Sequence, residues 1–178
     1  MNALNKGKFI SNGILNENMT TLAVPINSVS EQITFRQFTL AVTMTIGEAS
    51  DFVTNPSVIV GATHSHAIYD ADGNLLIDSG PFDSTDGSGN IQTNSFLQVA
   101  LSAGGVYMFA SVASDPALLV RGFSCQGWPN MLTKNATVAN MLGTAANVRS
   151  SIGHRMPLTL GALTFAGLQA CPACVWQF

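Results

Sequence analysis

From Phe38 to Ile46 the chain alternates without a break: Phe38, Leu40, Val42, Met44 and Ile46 fall on one parity, and Thr39, Ala41, Thr43 and Thr45 on the other. Successive side chains of an extended strand point to opposite faces, so the pattern predicts a strand with one apolar face and one neutral-polar face. An apolar face of that kind needs a second sheet to cover it. Only 10% of the residues are charged, against about 25% in ordinary soluble domains. Outer faces must therefore be built from Thr, Ser, Asn and Gln, a surface suited to burial in an assembly.

At 178 residues the chain is long enough for one domain with a real core and too short for two comfortable ones. Seven Lys and Arg in all, and a net charge of -3, argue against nucleic acid as a partner, because affinity for phosphates depends on clustered basic residues. No apolar run reaches the roughly 18 to 20 residues of a spanning helix, so no membrane is expected. Met1 to Ile10 lacks the apolar stretch and small-residue cleavage site of a secretory signal. The expected origin is a cytoplasm.

Residues 1–32 show no sustained periodicity and are read as an extended amino-terminal arm, with one small apolar patch at Leu22, Val24 and Ile26 interrupted by Pro25. Ile33 to Ile46 is the first expected strand. Ile33 and Phe35 lie on the opposite parity from Phe38 onward, which suggests a bulge or crossing near Arg36 and Gln37. Val58 to Tyr69 is a second strand, followed by a turn at Asp70 to Asn74 and a further strand at Leu75 to Ile77. Phe96 to Ser102 and Val106 to Val112 read as a hairpin around Gly104 and Gly105, and Leu118 to Phe123 as another strand. Strand patterning is lost over residues 124–157, where Asn135 could cap a short helix; it returns at Leu158 to Leu168. Short strands and little helix predict an all-β antiparallel sandwich, jelly-roll-like, over residues 33–178.

Chemistry is thinly represented. Asp70, Asp72 and Asn74 around Gly73 resemble the opening of a calcium loop but lack its glycine at position six and glutamate at twelve, and read as a hairpin turn. His64 and His66, two apart, share one strand face, a spacing that chelates metals in cupin-type sites; a further histidine and a carboxylate would be needed, and the only other histidine, His154, lies in the irregular segment with Glu scarce nearby, so the pair read as surface or interface residues. No nucleophile elbow or phosphate loop is present. Cys125, Cys171 and Cys174 form an odd set, and Cys171 and Cys174 read as ordinary thiols in a terminal turn. Trp128, between Gly127 and Pro129, is expected to plug an end of the sandwich, with sugar stacking as the alternative. No catalytic residue, metal ligand or cofactor is assigned; Leu22, Val24, Ile26 and Trp128 are the interface candidates.

The stretch Ala67 to Gly80, with its Tyr69-Asp70-Ala71-Asp72-Gly73 turn, the stretch Leu101 to Ala110 with Ala103-Gly104-Gly105-Val106-Tyr107, and the run Pro157-Leu158-Thr159-Leu160-Gly161 together resemble a β-sandwich module of tailed-bacteriophage virion proteins, over roughly half the chain. The resemblance implies a non-enzymatic virion component, made in the host cytoplasm: a homotrimer that decorates or cements a capsid by docking on the major capsid protein or another virion protein. A receptor- or carbohydrate-binding head of a tail fibre is the alternative, and a cupin-like metal enzyme through His64 and His66 a weaker one.

Overall fold

The computed structural model describes residues 8–10, 21–40, 42–124, 142–165, 170–172 and 174–177. These form β1 (Lys8–Ile10), β2 (Thr21–Pro25), β3 (Gln32–Thr39), β4 (Met44–Asn55), β5 (Thr63–Asp70), β6 (Leu75–Asp83), β7 (Ile91–Leu101), β8 (Val106–Ala113), β9 (Leu119–Ser124), β10 (Leu142–Val148), β11 (Leu163–Phe165), β12 (Ala170–Pro172) and β13 (Val175–Gln177). The described residues contain no helix. One sheet runs β1-β13-β4-β9-β12, with β2 on β9 and β7 on β4; the other runs β11-β10-β3-β8-β5-β6, and every pairing is antiparallel. The chain is an all-β sandwich of two antiparallel sheets.

Between the sheets lies an apolar layer of Phe38, Ile46, Ala49, Ile68, Ile77, Phe82, Leu101, Phe109 and Trp176. The second sheet is also covered on its outer face, where Ile33, Phe35, Tyr69, Met108 and Val112 pack against Met156 and Leu160. That outer cover explains the parity change in β3. Ile33 and Phe35 face outward into the cover while Phe38 faces the inter-sheet layer, and the register of β3 on β8 runs unbroken from Thr34 opposite Ser111 to Thr39 opposite Val106. The bulge or crossing expected at Arg36 and Gln37 is not there. When both faces of a strand are buried, apolar residues can occupy either parity.

The alternation from Phe38 to Ile46 is not one strand. The chain leaves the second sheet at Thr39 and enters the first at Met44, so Leu40 and Ile46 enter the same inter-sheet layer from opposite sheets. Both inner faces demand apolar residues, which is why the pattern ran on through the bend. Val42 sits at the bend and is 62% exposed, against the expectation that it belongs to the core. A similar correction applies to Gly104 and Gly105. β7 pairs with β4 and β8 with β3 and β5, so this turn carries the chain between sheets and does not close a hairpin. The two crossings brace each other through Gly104 N–H to Leu40 O (2.8 Å) and Leu40 N–H to Gly105 O (3.2 Å), and Gly104 holds a φ of 75° that a side chain would disfavour.

Residues 21–26 depart from the expected arm. β2 pairs with β9 from Thr21 opposite Phe123 to Pro25 opposite Leu119. Val24 and Ile26 are buried with Val53, Ala113, Leu118 and Val120, so these interface candidates sit inside the sandwich; for Leu22 only the backbone is described, in β2. Trp128, Cys125 and the cap at Asn135 lie outside the described residues. Part of the irregular segment is regular, since β10 pairs with β3. The expected strands at Val58 and Leu158 begin later, at Thr63 and Leu163. The turn at Asp70 is a hairpin turn as expected: β5 and β6 pair, and Asp70 Oδ1 accepts from the N–H groups of Asp72 (2.9 Å) and Asn74 (2.8 Å).

Candidate functional site

The inner face of β5 carries His64, His66 and Ile68 in alternation, and the inner face of β4 carries Ala49, Asp51 and Val53. Stacking the sheets therefore sets one carboxylate opposite two imidazoles. Asp51 Oδ2 accepts from Nε2 of His64 at 2.7 Å and from Nε2 of His66 at 2.9 Å. Its Oδ1 accepts the Phe52 N–H at 2.6 Å. On the far side of each ring a hydroxyl is waiting: Ser84 Oγ at 2.9 Å from Nδ1 of His64, and Ser111 Oγ at 2.8 Å from Nδ1 of His66. With each Nε2–H directed at the carboxylate, Nδ1 of a neutral ring accepts from its serine and Nδ1 of a protonated ring donates to it. Phe82 stacks on His64 and Phe109 on His66, with ring centres 5.4 and 5.5 Å apart.

All three residues of this clasp are closed to solvent. Burial by itself would raise the Asp51 carboxyl, but the charge of His66 and the hydrogen bonds from both histidines outweigh it and hold the group well below the usual carboxylate range. For His64 burial dominates and lowers its pKa despite the hydrogen bond it donates to Asp51 and the charge of that carboxylate, with the charges of His66 and Arg149 adding to the lowering. Burial, with the charge of Asp51 adding, pushes the Cys174 thiol well up. Cys174 is a free thiol in the connection between β12 and β13, and it is buried in the core cluster that holds Trp176.

Behind β5, on its other face, Arg149 is buried and spans three elements. Its Nε and Nη2 grip Glu31 Oε2 and Oε1 at 2.8 and 3.0 Å, Nη1 donates to Ser65 Oγ at 3.0 Å, and Nη2 donates to Thr63 O at 3.1 Å. This fork ties the residue before β3 and the one after β10 to β5.

His64 and His66 do share a strand face, but they are core residues and not surface ones. Asp51, Ser84, Ser111 and Arg149 went unnoticed in the sequence. The available signal was a lone acid in an otherwise small and apolar inward row, Ala49-x-Asp51-x-Val53; it was hidden because the register on β7 shifts between Ile46 and Glu48, which moves Asp51 onto the inner parity.

Among the described residues, three consecutive exposed apolar side chains stand in a hydrogen-bonded turn. In the turn between β4 and β5, Val58 and Val60 are 95% and 97% exposed, flanking a half-exposed Ile59. The base of the turn is fixed by Ser57 Oγ donating to Asp115 Oδ2 (2.6 Å), Ile59 N–H donating to Ser57 Oγ (3.0 Å) and paired backbone bonds between Ser57, Ala62 and Ser84. No protein-family model and no curated protein match the chain.

Proposed function

We propose that the chain is a non-enzymatic structural protein of a phage-like virion, a β-sandwich that trimerises and decorates or cements the capsid shell. The observation that carries this reading is the anchored knuckle of Val58, Ile59 and Val60. Burying a valine side chain stabilises a contact by about 1.5–3 kcal/mol before association costs are subtracted, and a knuckle already held in place loses little entropy on docking. The sparse charge of the chain supports the same reading, since a neutral-polar sandwich face can be covered by a neighbour without stranding buried ions. The closed clasp of Asp51, His64 and His66 offers no substrate a path to a reactive atom, which supports a binding role over the metal-enzyme alternative.

The test is electron microscopy of particles decorated with an antibody raised against the recombinant chain. Label distributed over the whole shell is the expected result. Label confined to the tail tip would move the function to the receptor-binding alternative, and particles without label would overturn the virion reading altogether.

A further inference from the structure

We propose that Asp51, His64 and His66 form a binding site for a divalent transition-metal ion of the zinc class, with Oδ2 of Asp51 and Nε2 of each histidine as ligands. The three donor atoms lie within 4.8 Å of one another. Two imidazole nitrogens with one carboxylate oxygen is a donor set matched to zinc and its neighbours; calcium and magnesium prefer oxygen alone.

Four features of the surroundings favour an ion over a purely hydrogen-bonded clasp. First, the ligand atoms come from two sheets that the core already clamps, so the site is organised before anything binds. Second, both Nδ1 atoms have a hydroxyl partner, Ser84 for His64 and Ser111 for His66. A ligating imidazole keeps its proton on the other nitrogen and donates it to a second group that fixes the ring. A serine hydroxyl both donates and accepts, so each ring can move its proton from Nε2 to Nδ1 while the serine turns from donor to acceptor. Each Nδ1···Oγ hydrogen bond survives that exchange with its direction reversed, and the two Nε2 lone pairs become free. Third, the Asp51 carboxylate is buried against two histidine rings that themselves pack on Phe82 and Phe109, where an ion is costly unless balanced. Fourth, Arg149, whose charge bears on His64, lies on the opposite face of β5 and is committed to Glu31, Ser65 and Thr63.

Ligands at zinc bond lengths and tetrahedral angles stand about 3.3 Å apart, against 2.7 and 2.9 Å between Oδ2 and the two nitrogens here. The two nitrogens are bounded only by the 4.8 Å that encloses all three donors, so binding draws the imidazoles toward each other as the Asp51 side chain retreats.

The test uses the full chain, dialysed against chelator and then titrated with zinc or cobalt(II). One metal per chain is expected, with a rise in melting temperature and, for cobalt, two paramagnetically shifted imidazole Nδ1–H resonances. Ser111→Ala retains all three ligands and is expected to weaken zinc binding about 10- to 100-fold. Absence of binding would overturn the proposal. So would a cobalt spectrum dominated by thiolate bands without the two shifted resonances, which would place the metal on cysteine. Both readouts are made on the chain alone, so failure of the virion reading leaves this result standing.

Discussion

The carboxylate of Asp51 on β4 meets Nε2 of His64 on β5 at 2.7 Å, and with it one sheet of the sandwich is joined to the other by a charge-assisted hydrogen bond through the middle of an apolar core. Hydrophobic packing holds the sheets together without direction; this bond and its twin to His66 fix where β4 lies across β5. Removing the acceptor leaves two buried N–H groups without a partner. In metal-free protein Asp51→Ala should lower the unfolding free energy by about 3–5 kcal/mol, read as the shift in urea midpoint multiplied by the slope. A loss under about 1 kcal/mol would mean the histidines find other acceptors at little cost.

The bend at residues 40–43 separates two substitutions that the sequence pattern would treat alike. Val42→Asp falls on an exposed side chain and should leave the melting temperature within a few degrees of the parent, because surface changes usually fall within about 0.5 kcal/mol. Ile46→Asp puts a carboxylate into the inter-sheet layer and should abolish soluble folding. Circular dichroism melts of the two variants decide it; equal damage from both would contradict the bend.

How far the sequence was readable follows from the same region. Alternation reports that a residue faces an apolar layer and is silent on which sheet carries it. Thus Phe38 and Ile46 were rightly placed in a core, while the crossing between them and the one at Gly104 were invisible. Local turn chemistry was legible at Asp70 to Asn74, where the side chain that makes the turn is in the turn. The clasp was not legible, because Asp51 and His66 are brought together by stacking of sheets and by a register shift that no local pattern records.

Tyr69 gives an alkaline signature. Burial, helped by the charge of Asp78, raises its pKa above the ordinary tyrosine value, and its hydroxyl donates to Pro157 O at 2.9 Å. A raised folded-state value means the contribution is fully present below about pH 10, the unfolded value, and is lost as pH climbs from there through the folded value. Unfolding free energy should therefore fall above about pH 10 in the parent, and fall less steeply in Tyr69→Phe, which should cost about 1 kcal/mol at neutral pH. Identical alkaline slopes for the two proteins would contradict this.

Arg149→Met removes the fork that links Glu31 to β5. Glu31 keeps partial access to water, so the loss should fall short of a fully buried pair, at about 2–3 kcal/mol. Arg149→Met combined with Glu31→Gln should recover part of it, since no unpaired charge is then left behind. A double variant less stable than the single one, in the same urea titration, would show that the fork acts through packing of the arginine stem instead.

Assembly through the knuckle of Val58, Ile59 and Val60 is tested most directly by sedimentation velocity on the full chain and on the double variant Val58→Ser, Val60→Ser. Both side chains are almost wholly exposed, so the substitutions leave the sandwich folded. The account predicts a trimer for the parent and a monomer for the variant. A parent that sediments as a monomer across the accessible concentration range, or a variant that remains a trimer, would contradict it.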